Sequence, residues 1–510
     1  MTKLLLRLSL PCLLASMLAA YGCGSDESKA AAGSGSSTGS GGSAGSGGSA
    51  GSGGSAGSGG SAGSGGSAGG SAGSGGSAGS GSSAGSGSSA GSGSSAGSGG
   101  SGGGTPPPSA YPDDPAIIAA VEGMGDNTAF QLAPYKLGGD RAQEWKTIWG
   151  TAPQRRDYCN KIVFAPDRGT GMYAGMNHGA PHRLNDAWEY HLGSNTWYLL
   201  FFPDRKTSLE WYASDAMIED GYLQSKRHGM LQGAHTWDGL SYDPVSKRML
   251  WVNVSVDDPY GGTGPLAGKS PLSVFAEATG QSLGTVEAQL LPGTKVWMYD
   301  AKAVRWYRQM GSGPRPKTAL QGGAMEYIPD LKKHIWWAND WYEAGMWAYD
   351  SAANTWENLK PNAGALIYGD KLDRFPRSEQ QMRYSAKHKT LVAVKQTVTW
   401  EYSFATNEWK KIGEDPKNAA SDASTVFVYD SVNDVFLLLQ LKQAAKLRAY
   451  DIKTKTWTTL TPTGGAHWPD YNVVDGLQYN YTSGYFDPVH NLMVVYEGLN
   501  NRMWLYRYKK

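Results

Sequence analysis

Cysteine is nearly absent from this chain: three residues in 510, at Cys12, Cys23 and Cys159. Only Cys159 falls in the part able to fold, so no intramolecular disulfide can brace that part and its stability must come from its core. Net charge is also small, at +1, and there are no long runs of one sign. Without a basic stripe to displace counterions from phosphates, the charge argues against a nucleic-acid binder. Long apolar runs are missing too. The stretch Leu8–Ala20, which follows Lys3 and Arg7, has the charge-then-hydrophobe order of a secretory signal and is too short to span a bilayer. From about Ala31 to Gly104 aromatic and charged residues vanish, leaving almost only Gly, Ser and Ala. Such a tract cannot bury enough apolar surface to offset the entropy of ordering. No Gly-rich phosphate loop, nucleophilic serine elbow or HExxH helix is apparent.

What the chain has instead is aromatics: 10 Phe, 19 Trp and 28 Tyr, nearly all after residue 105, which points to a β-rich globular part. They recur with a rule. A Tyr stands seven positions before a Trp at Tyr190/Trp197, Tyr299/Trp306, Tyr349/Trp356, Tyr402/Trp409 and Tyr450/Trp457. The third copy, Trp347, Tyr349 and Asp350 followed by Asn354, Thr355 and Trp356, reads as two short strands joined by a tight turn. Each copy follows another apolar hairpin, so every unit is predicted to be a four-stranded antiparallel sheet. Recurrence at this period marks a repeat architecture.

The leader ends at Ala20-Tyr21-Gly22-Cys23, which resembles the lipobox of bacterial lipoproteins, although Ala20 and Tyr21 depart from the usual residues. The resemblance implies lipidation at Cys23, and Gly24 in place of a retaining Asp implies the outer membrane of a Gram-negative cell, with simple secretion as the alternative. The expected organisation is a signal peptide over 1–22, an anchor region over 23–30, a disordered linker over 31–110, an N-terminal extension over 111–140 and a repeat domain over 141–510. The linker, as a Gly/Ser coil, would span about 50 Å.

Six units can be aligned, with third-strand anchors at Trp188, Trp297, Trp347, Trp400, Arg448 and Trp504. The long gap between the first two is read as a connection over 198–235 and an insertion over 255–294. Seven units would result if 198–235 formed a full sheet. The sixth unit lacks a fourth strand, and Gln143-Glu144-Trp145-Lys146-Thr147-Ile148 matches Asn407-Glu408-Trp409-Lys410-Lys411-Ile412, so the N-terminal segment is expected to complete the last sheet and close a ring. The spaced Tyr and Trp resemble the kelch repeat. The expected fold is therefore all-β, a six-bladed (alternatively seven-bladed) kelch-like β-propeller of four-stranded antiparallel blades, in which the Tyr and Trp of the pattern pack between blades. Copper oxidases related to galactose oxidase share that fold, but their cofactor needs a Tyr-crosslinked Cys and a further C-terminal domain, so their chemistry is not expected here.

In such a fold the loops joining second to third strands, and those joining blades, open on one face. His178, His182, His228, His235 and His467 fall there, while His388 and His490 lie in hairpin turns of the other face. Candidate substrate-binding residues are His182, Arg183, His228, Trp237, Trp341, Tyr342, Arg374, Arg377, His467 and Trp468, since aromatic faces stack on sugar rings and Arg pairs with carboxylates. One reading is a surface that binds an extracellular glycan or a surface protein. A second is a polysaccharide lyase that cleaves uronic-acid glycans by β-elimination, with His178, His235, Tyr471 and Arg227 as catalytic candidates. A third places a divalent metal near His178, His182, His228 and His235, without assigned ligands. A monomer is expected, touching a membrane only through the lipid anchor.

Overall fold

The structure is a computed structural model. It describes residues 110–510 except 151–152, 154–155, 157, 176–183, 205–214, 232, 234, 253–267, 292–294, 310–312, 317–322, 339–344, 362–380, 396–397, 415–424, 441–445, 465–481 and 499–500. Among the described residues no helix is long and apolar enough to cross a membrane.

The chain begins with α1 (Pro115–Gly123), β1 (Thr128–Gln131), β2 (Lys136–Gly138) and α2 (Ala142–Trp149). A sheet then forms from β3 (Val163–Ala165), β4 (Thr170–Tyr173), β5 (Trp188–His191) and β6 (Thr196–Leu199), with β2 added parallel to β6. A three-stranded sheet follows, made of β7 (Ala216–Glu219), β8 (Tyr222–Ser225) and β9 (Gly229–Met230). The next sheet holds β10 (Leu240–Asp243), β11 (Arg248–Val252), β12 (Val296–Asp300) and β13 (Arg305–Gln309), with helices α3 (Pro271–Thr279) and α4 (Leu283–Glu287) between its second and third strands. Two four-stranded sheets come after it, β14 (Ala324–Ile328), β15 (Lys333–Ala338), β16 (Gly345–Asp350) and β17 (Thr355–Asn358), then β18 (Gln381–Ser385), β19 (Thr390–Lys395), β20 (Val398–Ser403) and β21 (Glu408–Glu414). The last two are β22 (Thr425–Asp430), β23 (Val435–Gln440), β24 (Lys446–Asp451) and β25 (Thr456–Leu460), and β26 (Thr482–Asp487), β27 (Leu492–Glu497) and β28 (Arg502–Arg507), completed by β1. Seven sheets of this kind are consistent with the blades of a β-propeller.

The repeated Tyr and Trp turn out to be a register. Tyr190, Tyr299, Tyr349, Tyr402 and Tyr450 lie directly opposite Trp197, Trp306, Trp356, Trp409 and Trp457 on paired strands. Their ring centroids are 5.1, 5.1, 4.7, 5.2 and 5.1 Å apart. Cross-strand aromatic pairs of this kind contribute about 0.5–1.5 kcal/mol each beyond burial. Three of the tyrosines also bind the turn. Tyr190, Tyr349 and Tyr402 donate their hydroxyls to the Oδ1 of Asn195, Asn354 and Asn407. Those asparagines sit at φ of 47, 54 and 55°, the left-handed conformation that Asn tolerates better than most residues. Asn354→Ala should therefore cost about 1–2 kcal/mol, combining turn strain with a lost hydrogen bond. Asn354→Gly, which relieves the strain alone, should cost less in the same thermal unfolding experiment.

First strands of successive sheets lie side by side: β3 packs against β10 and β26, β10 against β14, β14 against β18, β18 against β22 and β22 against β26. Apolar side chains fill the space between sheets, as where Ile335 and Trp337 join Leu391 and Trp400 in one cluster. The three-stranded sheet takes no such position among the described residues. Its β9 packs beside β13, and its Leu223 and Leu231 form a small core with Leu272, Phe275 and Val286 of the α3–α4 segment. Residues 198–235 and 255–294, expected to be a connection and an insertion, thus contain parts that fold together.

One expectation is overturned. The segment Gln143–Ile148 does not complete the last sheet; it lies in α2, where Ala142, Trp145 and Trp149 are buried along one helical face. The strand beside β28 is β1, with Thr128 opposite Arg507 and Gln131 opposite Trp504. Its Ala129 is wholly buried and donates its N–H to the Thr463 carbonyl at 2.9 Å.

Candidate functional site

Most of the predicted loop face lies outside the described residues: His178, His182, Arg183, Trp341, Tyr342, Arg374, Arg377, His467, Trp468 and Tyr471, as does Cys23. Four predicted residues are described. His235 and Trp237 come together, with ring centroids 5.7 Å apart, and both pack on Tyr158. Trp237 is buried and its backbone is stitched to the Tyr158 segment, donating N–H to the Tyr158 carbonyl at 2.6 Å and accepting from Asn160 at 3.0 Å. Arg227 sits in the β8–β9 turn, two-thirds exposed and 4.0 Å from Asp215.

His228 stands in that same turn with different neighbours. Its Nδ1 lies 2.5 Å from Asp204, and its ring stacks on Phe201 at 4.4 Å. Burial pushes the Asp204 carboxyl up, but hydrogen bonds from His228, Ser225 and Asn185 outweigh it and hold the group below its ordinary range. A buried carboxylate on Nδ1 fixes the tautomer of the imidazole and leaves Nε2 for other work. Asp204 was not singled out from the sequence. Among the described residues no group of three or more His, Cys, Asp or Glu is placed to hold a metal.

The described cavity opens elsewhere. It measures about 390 Å³ and is lined by residues of β3, β10, β14, β18, β22 and β26, together with turn residues Pro329, Ala386, Ser431 and Pro488 that follow the first strands. None of the predicted site residues lines it. One register position gives it its character. The next-to-last residue of each of these six strands is aromatic: Phe164, Tyr242, Tyr327, Tyr384, Tyr429 and Phe486, and all six line the cavity. Strand alternation places equivalent positions alike, so the six form a collar.

Several collar hydroxyls are anchored, two in a neighbouring sheet's turn and that of Tyr429 both in its own hairpin turn and by a neighbouring sheet's Ser385. Tyr242 donates to Asp167, Tyr384 to Asp330 at 2.5 Å, and Tyr429 to Asp434 at 2.9 Å while accepting from Ser385. Burial holds Tyr242, Tyr327, Tyr384 and Tyr429 above the ordinary phenol value, helped by the aspartate bonds at Tyr242 and Tyr384. At neutral pH they are neutral and act as hydrogen-bonding aromatic surfaces, not bases.

Below the collar lie buried charges. Lys161 donates to the Met325 carbonyl at 2.5 Å and to Glu326 at 2.7 Å. Arg383 gives its Nη1 to both oxygens of Asp238, at 2.8 and 2.7 Å, and to the Met382 carbonyl at 2.6 Å. Asp238 also accepts from the Met382 N–H at 2.9 Å. Burial lowers the Lys161 ammonium, with Glu326 opposing and Arg383 adding to the drop; burial likewise raises the Asp238 carboxyl against the pull of Arg383 and Lys161. A mostly apolar, aromatic wall over a few fixed polar groups is the usual composition of a small-ligand site, and the volume falls in the common range of roughly 300–1,000 Å³.

No protein-family model and no curated protein matches the chain. Among solved structures it is similar to an auxiliary nutrient binding protein from Bacteroides ovatus, at 9% identity over 74% of this chain and 76% of that one, with a TM-score of 0.39. It is also similar to a protein of unknown function from Bacteroides thetaiotaomicron, at 10% identity over 74% and 76% with a TM-score of 0.41. An oligogalacturonate lyase from Vibrio parahaemolyticus matches at 12% identity over 69% of this chain and 90% of that one, with a TM-score of 0.33.

Proposed function

We propose that the chain is a six-bladed, kelch-like β-propeller, exported and either anchored at the outer membrane through Cys23 or secreted, that binds extracellular carbohydrate without cleaving it. The blade count is supported by the six first strands that neighbour one another in sequence around the cavity, and ring closure by the pairing of β1 with β28. The observation that carries the binding reading is the collar of six aromatics at one register position around a single cavity. A sugar ring is amphipathic, with apolar C–H faces and a polar edge. Aromatic faces above buried hydrogen-bonding groups complement both.

The site belongs to the end of the fold where first strands turn into second strands, opposite the loop face favoured by the distribution of histidines. Titration calorimetry of the full chain against a panel of oligosaccharides tests it. Tyr327→Ala, which removes one collar ring whose hydroxyl makes no bond among the described residues, should weaken binding about 5- to 10-fold, the equivalent of about 1–1.4 kcal/mol. If affinity ignores Tyr327→Ala and is instead abolished by Trp341→Ala with Tyr342→Ala, the binding site is on the loop face.

A further inference from the structure

We infer that the floor of the cavity reads a carboxylate, so that the sugar it takes is an acidic one. This rests on the carbohydrate reading above and names its ligand class. Two cations, Lys161 and Arg383, line the cavity together with Glu326, and each is paired with one carboxylate, Lys161 with Glu326 and Arg383 with Asp238. Both cations are more than nine-tenths buried. Each also has donors to spare. Lys161 uses two N–H groups, on Met325 and Glu326, and its third donates to nothing among the described residues. Arg383 commits Nη1 alone, to Asp238 and the Met382 carbonyl, and its Nε and Nη2 donate to nothing among the described residues.

That edge of a guanidinium, with two parallel N–H groups, is the one that grips a carboxylate in a fork. Asp238 makes the grip possible. By holding Nη1 from behind, and being held in turn by the Met382 N–H, it fixes the plane of the guanidinium before any ligand arrives. A neutral hydroxyl could occupy one of these donors, but a carboxylate takes both N–H groups of the free edge at once, in a buried site where charge-assisted bonds are stronger than in water. Asp238 is a positioning residue here, and Arg383 and Lys161 are the contacts.

The test is titration calorimetry on the full chain with galacturonate and galactose trisaccharides of the same linkage, a sulfated galactose trisaccharide, and acetate alone. The uronate should bind at least tenfold more tightly than the neutral trisaccharide. The double variant Arg383→Gln/Asp238→Asn, which keeps a hydrogen-bonded pair and removes both charges, should bring that ratio close to one. Lys161→Gln/Glu326→Gln serves as the second variant if the first does not fold, and should also shrink the ratio. Neutral binding equal to or tighter than uronate binding, or a preference for the sulfated sugar over the uronate, would overturn the carboxylate floor while leaving the carbohydrate reading in place. Acetate binding that is lost in the double variant, with no trisaccharide bound, would keep the floor and reject the carbohydrate reading. Silence from all four ligands would overturn both.

Discussion

Asp238→Ala should lower the unfolding free energy by about 3–5 kcal/mol, among the largest losses that any single substitution in this chain would produce. Asp238 is 1% exposed and takes two bonds from Arg383, itself 6% exposed, so its removal strands a guanidinium inside the protein. The buried Lys161 ammonium, whose charge Asp238 also favours, loses support at the same time. The Met382 N–H becomes a third group without its partner. The cost comes from leaving charges unpaired more than from losing an attraction. Asp238→Leu/Arg383→Leu, which takes out both members, should therefore recover most of the loss in urea unfolding. If the double variant is no more stable than Asp238→Ala, the pair is not what holds this region together.

Ala129→Asp should release β1 from the edge of β28. Ala129 has no exposed surface, and a carboxylate there would have to be desolvated without a cation, a penalty of several kcal/mol that a strand of four residues cannot absorb. Backbone bonds outside the strand ladder go with it, from Asn127 to Tyr508, Leu132 to Met503, Ala129 to Thr463 and Thr463 to Asn127, as does the Tyr506 hydroxyl bond to Asn127. Hydrogen exchange is the measurement. Amides of β28 should lose protection by several orders of magnitude relative to those of β15 or β23, which lie inside other sheets. Unchanged protection in β28 would mean that the last sheet stands without β1.

How much of this was legible in the sequence varied with how local the signal was. Tyr349 and Trp356 announce their hairpin because a fixed spacing along the chain is also a fixed register across it. The closing strand was misassigned because Gln143–Ile148 copies the letters of a true fourth strand, while the informative pattern was the period of Ala142, Trp145 and Trp149, which is helical. The true strand, Thr128–Gln131, buries only Ala129 and carries almost no hydrophobic signal. The collar could have been found, since Phe164, Tyr242, Tyr327, Tyr384, Tyr429 and Phe486 all stand just before the first turn of their units; the more conspicuous Tyr and Trp spacing hid it. Lys161 with Glu326, and Asp238 with Arg383, had no such signal. They are 165 and 145 residues apart and meet only because first strands gather around one space.

The seam between β1 and β28 also sets an order of events. Asn127 meets Tyr506 across 379 residues of chain, so this contact forms only after a loop spanning nearly the whole domain has closed. Every other sheet can assemble from neighbouring hairpins as the chain emerges, but the last waits for its final strand to be made. Residues among the earliest of the foldable part to be synthesised are thus the latest to be placed. During that wait the edge of β28 and the wholly buried Leu505 and Tyr506 lack their cover, and refolding from denaturant should show its slowest phase there.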